Sequence, residues 1–206
     1  MLALSVLPVL AMLASTAAGD PSWPPEVRAL AARMQRIQTL QVKMRQEKEM
    51  AVFDEVIRCT GTLTIARPRR LAMDLEGPGG TRLVIDGDRM GMHYKALGRT
   101  ERMSLAQEPR AKAVADHMFL FLDLDPEALS ATYQLEVRST APVALRLTPR
   151  PEALRRIIRQ VDIRFDSRGF VDELVLTEGN GDETRWTFDD PVIDAPIDPA
   201  TFTLGP

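Results

Sequence analysis

Ile57-Arg58-Cys59-Thr60-Gly61-Thr62-Leu63-Thr64-Ile65-Ala66-Arg67-Pro68 decides the fold. Apolar Ile57, Cys59, Leu63 and Ile65 alternate with Arg58, Thr60, Thr62 and Thr64. A period of two means a strand with one greasy and one wet face, the pattern of an antiparallel sheet. The alternation runs outward in both directions. Upstream it begins at Gln41; downstream it continues through Leu71, Met73 and Leu75, then Leu83 and Ile85, then Met90, Met92 and Tyr94. Gly77-Pro78-Gly79-Gly80 and Asp86-Gly87 supply turn chemistry between these runs. Further strands follow Thr132, over 133–137, 143–149, 156–165, 170–178 and 184–190, with turns at 166–169 and 179–182. In the longest of them Ile157, Val161, Ile163 and Phe165 share one parity.

The count is about eleven strands, and a meander of that length must curl or stack to limit its exposed edges. A barrel wider than about eight strands is not filled by its own side chains, which leaves room for a ligand. On the residues alone the expected architecture is α+β and mainly β, an antiparallel barrel or a sandwich, with two helices available to cover a hydrophobic cavity. Residues of apolar parity on neighbouring strands should line that cavity, namely Leu63, Ile65, Leu71, Met73, Leu83, Ile85, Met90 and Met92.

Two helical segments interrupt the strands. Val27, Leu30, Ala31, Met34 and Ile37 recur at helical spacing with Arg28, Arg33 and Arg36 between them. A second helical region covers about 110–129, with a break expected at Pro126. Its run Met118, Phe119, Leu120, Phe121, Leu122 is too apolar to face water and suits a lid over the cavity, with Met118, Phe119, Phe121 and Leu122 facing the ligand.

Composition narrows the function. The chain has 206 residues, 45% hydrophobic, with a net charge of −3. That near balance excludes a nucleic-acid partner, which would call for a basic excess. Residues 1–19 carry no charge and end in small side chains before Asp20, the pattern of a cleaved export signal. Residues 20–206 then form one expected domain, an exported soluble monomer. Cys59, the only cysteine, lies far from that junction, so no disulfide and no lipid-bearing N-terminal cysteine is expected. No nucleophile motif or metal-ligand spacing is present, so no enzyme activity, catalytic residue, metal or cofactor is expected. His93 and His117 read as surface or hydrogen-bonded histidines. Asp123, Asp125 and Glu127 read as one helix ending and another beginning.

Arg67 is the exception to the pattern. By parity it continues the apolar face of Ile57, Cys59, Leu63 and Ile65, where a guanidinium needs partners. Two readings remain open on periodicity alone. Either Pro68 ends the strand and Arg67 turns outward with Arg69 and Arg70, or Arg67 stands at the cavity rim and holds backbone carbonyls of a covering helix.

Residues 61–73, followed by Leu83-Val84-Ile85-Asp86-Gly87-Asp88-Arg89-Met90, resemble the periplasmic outer-membrane lipoprotein carriers, the LolA-like family. Met44-Arg45-Gln46, Leu147-Thr148-Pro149, the 178–182 turn and the ending at 197–204 match in the same order. Met73, Met90 and Met92 stand where that family often has Trp or Phe, and Tyr94-Lys95-Ala96 replaces its usual Tyr-Asp-Pro. The resemblance implies an eleven-stranded unclosed barrel and a carrier of acylated lipoproteins or lipids. It also implies an inner-membrane lipoprotein-releasing ABC transporter as donor, an outer-membrane acceptor, and a lid-holding role for Arg67. The rival class is a periplasmic lipid-binding sensor or regulatory domain of the same fold.

Overall fold

A computed structural model describes residues 23–52 and 55–204. The export signal and the junction at Asp20 lie outside the described residues. The strands are β1 Thr39–Glu49, β2 Val56–Ala66, β3 Arg70–Glu76, β4 Thr81–Asp86, β5 Arg89–Tyr94, β6 Arg99–Ser104, β7 Tyr133–Thr140, β8 Val143–Pro149, β9 Ile158–Phe165, β10 Val171–Glu178 and β11 Glu183–Ile193. They form one antiparallel sheet in the order β6-β5-β4-β3-β2-β1-β11-β10-β9-β8-β7. Its outermost strands, β6 and β7, do not pair with each other, so the barrel is unclosed, as the resemblance implies.

The topology itself sets where the lid lies. Two meanders, β1 to β6 and β7 to β11, are sewn together by the pairing of β1 with β11. The chain must therefore travel from one outer edge, β6, to the other, β7. It does so through α2 (Pro109–Asp123) and α3 (Pro126–Thr132). α1 (Pro25–Arg36) enters ahead of the central strand β1, and a short α4 (Glu152–Arg155) precedes β9.

The first expected helix forms as read. Pro25 occupies its first turn, Arg33 and Arg36 its last, and Val27, Leu30, Ala31 and Met34 are buried. The break near Pro126 also appears. Leu124 ends α2 in a left-handed conformation with φ 48°, costly for a residue with a Cβ. Its burial of all but 2% of its surface offsets that cost. Asp125 then caps α3, its Oδ1 accepting from the Glu127 and Ala128 amides at 2.9 and 3.3 Å.

Three features depart from the periodicity. β6 carries no apolar alternation, being an edge strand of mixed exposure, and its place is fixed by pairing with β5. A short helix, α4, precedes the predicted 156–165 strand, and the turn that closes it takes up Arg156 and Ile157, so β9 starts only at Ile158. Ile157 consequently falls in the turn between α4 and β9 and is 64% exposed, not inward with Val161, Ile163 and Phe165. Its amide donates to Leu154 O and its carbonyl accepts from Gly179 N, so the backbone there is spent on a turn.

Apolar burial falls into two inner clusters and one outer one. α1, α3 and Leu124 pack with the inner face of β7 to β9 through Leu30, Leu129, Tyr133, Leu145 and Val161. α2 packs on the inner face of β2 to β5 through Ala115 and Phe119. On the outer face, Phe202 of the 3-10 turn Pro199–Phe202 covers Ala66, Ala72 and Val84. No described helix is long and apolar enough to cross a membrane.

Candidate functional site

Strand register gathers the eight residues of apolar parity into two rows across the sheet. One row runs Leu63, Met73, Leu83, Met92 and the other Ile65, Leu71, Ile85, Met90, each residue opposite the next on the adjoining strand. β1 extends both, with Val42 opposite Leu63 and Leu40 opposite Ile65. Leu63, Leu71, Leu83, Ile85 and Met90 are buried, while Ile65, Met73 and Met92 are partly exposed and pack against them. Of the lid residues, Phe119 is buried in this cluster with Met118 and Leu122 beside it, whereas Phe121 reaches the β7 to β9 cluster instead.

With the lid seated, little internal space remains. One cavity of about 70 Å³ lies at the centre of the concave face, bordered by Met34 of α1, Phe121 and Leu122 of α2, Leu63, Ile163 and Phe188. A second of about 30 Å³ lies below Arg67, bordered by Ile37, Leu40, Ile65, Phe119 and Leu122. Leu63 and Ile65 thus border these spaces; Leu71, Met73, Leu83, Ile85, Met90 and Met92 lie in the same apolar surface with α2 packed on it. An apolar cavity that admits a benzene ring measures about 150 Å³, so neither space holds a long chain unless the lid moves. The far wall includes Phe170, Val171, Leu174 and Pro191, which the sequence reading did not single out.

Arg67 turns inward. Its Nε donates to Ile37 O at 2.8 Å and one terminal nitrogen donates to Met34 O at 3.4 Å, both carbonyls at the C-terminal end of α1. The other terminal nitrogen pairs with Asp123 at the C-terminal end of α2. One guanidinium therefore ties both helices to the β2–β3 turn, at the end of α1 where carbonyls run out of helical partners and Met34 O keeps only the Ile37 amide at 3.3 Å. Of the two readings of Arg67, the geometry selects the rim and its backbone carbonyls.

The neighbouring arginines divide between the two faces. Arg69 donates to Asp116 of α2 at 2.6 Å and lies over the Phe119 ring at 5.2 Å. It is a second tie on the lid. Arg70 points to the outer face, over Phe202 at 4.9 Å.

The Asp116 carboxyl is held below its ordinary value of 3.8 by hydrogen bonds from Lys112, first, and Arg69, against an opposing effect of burial. A carboxyl depressed by folding contributes stability above its unfolded pKa, and that contribution is lost as pH falls through the folded value. Seating of α2 should therefore weaken on acidification below about pH 4. Hydrogen exchange across α2 should quicken there in the wild type, and Asp116→Asn should exchange quickly at neutral pH and show a flatter acid response. An acid response of equal size in Asp116→Asn would remove Asp116 from the account.

Other polar groups are settled or lie elsewhere. Gln46 Oε1 accepts from the Trp186 indole at 2.8 Å, which fixes a partly buried ring in the β2 to β5 cluster. His93 Nδ1 contacts Thr100 Oγ1 at 2.9 Å and Cys59 is a buried free thiol. A wider space, about 480 Å³, is an open groove between Val84, Gly91 and Arg102 and the segment Phe202 to Leu204. It involves neither lid nor latch.

A curled, unclosed antiparallel sheet whose apolar concave face is covered by helices tied to it through Arg67 defines a class of helix-covered half-barrels. The family model described as "Outer membrane lipoprotein carrier protein LolA" matches residues 35–205. The outer-membrane lipoprotein carrier protein of Pasteurella multocida (strain Pm70) is 24% identical over 160 residues, 78% of this chain and 73% of its own. That of Pseudoalteromonas translucida (strain TAC 125) is 22% identical over 204 residues, 98% of this chain and 91% of its own. A solved LolA superfamily protein from Nitrosomonas europaea aligns with a TM-score of 0.41 at 10% identity, covering 86% of this chain and 97% of its own. The chain belongs to the outer-membrane lipoprotein carrier family, LolA.

Proposed function

We propose that this chain is a periplasmic carrier that takes the acyl chains of lipoproteins against the rows Leu63–Met73–Leu83–Met92 and Ile65–Leu71–Ile85–Met90. It would shuttle them from an inner-membrane ABC transporter to an outer-membrane acceptor. The observation that carries the reading is Arg67, which holds α1 and α2 over an apolar surface through two backbone carbonyls and one carboxylate. Polar ties of this kind can be exchanged for bonds to water, which suits a surface that must open.

The energetics favour a carrier over a permanent core. Each exposed methylene costs about 0.8 kcal/mol, so an acyl chain of about sixteen carbons costs on the order of 10 kcal/mol to carry bare through water. That exceeds the roughly 1.5–3 kcal/mol of a charge-assisted hydrogen bond, so cargo can displace the latch. The methionines of both rows adapt to a mobile chain at little rotamer cost.

Mass spectrometry of what copurifies from the periplasm tests this. Acylated protein or lipid should accompany a chain that starts near Asp20. A preparation free of acyl species under conditions of active lipoprotein export, or one retained in the membrane with residue 1 in place, would contradict it.

A further inference from the structure

Among the described residues, three buried side-chain polar atoms have no hydrogen-bond partner: Trp23 Nε1, His117 Nε2 and the Tyr133 hydroxyl. Buried polar groups are nearly always paired, so each of the three calls for a reason. Trp23 and Tyr133, 5% and 0% exposed, belong to one cluster with Leu124 and Leu129. The His117 ring on α2 meets Tyr133 edge-on at 6.0 Å between centroids. Phe121 packs against both, at 6.2 Å from His117 and 5.6 Å from Tyr133, and also borders the 70 Å³ central cavity. A lid movement that lifts α2 therefore withdraws Phe121 and His117 from Tyr133 and opens its hydroxyl to whatever occupies the concave face.

The chemistry of the three atoms is specific. Indole N–H only donates. Burial raises the Tyr133 pKa to about 12, so the phenol stays protonated and able to donate. His117 Nδ1 lies 3.2 Å from Ala113 O, a pure acceptor, so Nδ1 donates there, and in the tautomer this contact selects Nε2 is the accepting nitrogen. Two donors and one acceptor, set among apolar side chains, suit a carbonyl flanked by a hydroxyl or N–H.

We infer that Tyr133, with Trp23 and His117, forms the polar end of the acyl site, taking the ester or amide carbonyl that joins a cargo's acyl chain to its headgroup. This rests on the carrier reading and deepens it. The rows on β2 to β5 bind hydrocarbon; the group at the α2, α3 and β7 junction reads where the hydrocarbon stops.

The test uses the full mature chain and two probes of matched length, methyl hexadecanoate and hexadecane, each competing against a bound fluorescent dye. Tyr133→Phe keeps the ring and removes the hydroxyl. It should weaken the ester about five- to tenfold, leave hexadecane unchanged, and leave the unliganded protein as stable as wild type or more so. Trp23→Phe, which removes one donor, should show the same selectivity. Equal changes for both probes in both variants, or a loss of unliganded stability with no selectivity, would overturn the inference and assign the hydroxyl to a buried water or to the fold. Failure of both probes to bind the wild type would instead sink the carrier reading, and this inference with it.

Discussion

Arg67→Leu is expected to bind cargo more tightly and give it up more slowly. The substitution keeps an apolar stem and removes every donor, so the closed, empty form loses its bonds to Ile37 O, Met34 O and Asp123. The Asp123 pair is discounted because its side chains are 22% and 39% exposed and water screens them. The carbonyl bonds carry most of the effect, about 2–3 kcal/mol in all. That shifts the open-to-closed ratio by about 30- to 150-fold. Cargo binds the open form, so apparent affinity rises as its population rises, and closing no longer helps to expel the chain. The assay is release from preloaded protein to liposomes or to an acceptor. Arg69→Leu, which frees α2 alone, should show a smaller effect of the same sign, and Arg70→Leu, on the outer face, none. Unchanged release in Arg67→Leu, or an equal defect in Arg70→Leu, would reduce the latch to surface charge.

Leu83→Asp should abolish retention of cargo. Leu83 is 3% exposed and sits in the middle of its row, opposite Met73 on one side and Met92 on the other. A carboxyl there has no partner, and burying it charged or protonated costs several kcal/mol. In the empty protein α2 can lift and let water reach the carboxyl, whereas a bound acyl chain keeps it dry, so the penalty falls on the loaded state and binding should fall more than about 100-fold. The same penalty could unfold the protein, and two companions separate the effects. Met73→Asp, at a partly exposed position of the same row, should fold and still lose cargo. Leu83→Ala should cost about 2–5 kcal/mol of stability and keep cargo, since the surface stays apolar. A folded Leu83→Asp or Met73→Asp that carries lipoprotein as well as wild type would place the chain elsewhere.

What the sequence reveals and conceals follows from the range of each interaction. The two rows are legible because strand parity fixes the face and short turns fix the register, both local matters. Arg67 is legible as a charge on an apolar parity. Arg69 is not: beside Pro68 and Arg70 it reads as surface, and its partner Asp116 comes from a helix that reaches it only through the crossover between the sheet's edges. The wall formed by Phe170, Val171 and Leu174 is hidden for a similar reason. It faces Leu63 only because β1 pairs with β11, joining segments more than a hundred residues apart. β6 is not legible because an edge strand of mixed exposure has no hydrophobic alternation to read. Ile157 misleads because a single turn of α4 shifts the strand's start, and parity counts from that start. His117 and Tyr133 give no sequence signal at all, since a missing hydrogen bond is a property of packing.

The central claim is that acyl chains lie between the lid and the inner face of the sheet, and Trp186 reports on it directly. The chain has two tryptophans, so Trp23→Phe, which weakens an ester-linked chain but still lets it saturate the site, leaves Trp186 alone, its ring partly buried in the cluster beneath α2. A bromine-labelled acyl chain quenches indole fluorescence on contact. Loading this variant to saturation with a dibrominated stearoyl lipid should quench most of the Trp186 emission, and adding Arg67→Leu should reach the same quench at lower lipid concentration. Saturable binding of the lipid with Trp186 emission unchanged would put the chain outside the lid, for instance in the open groove beside Phe202, and would contradict the account.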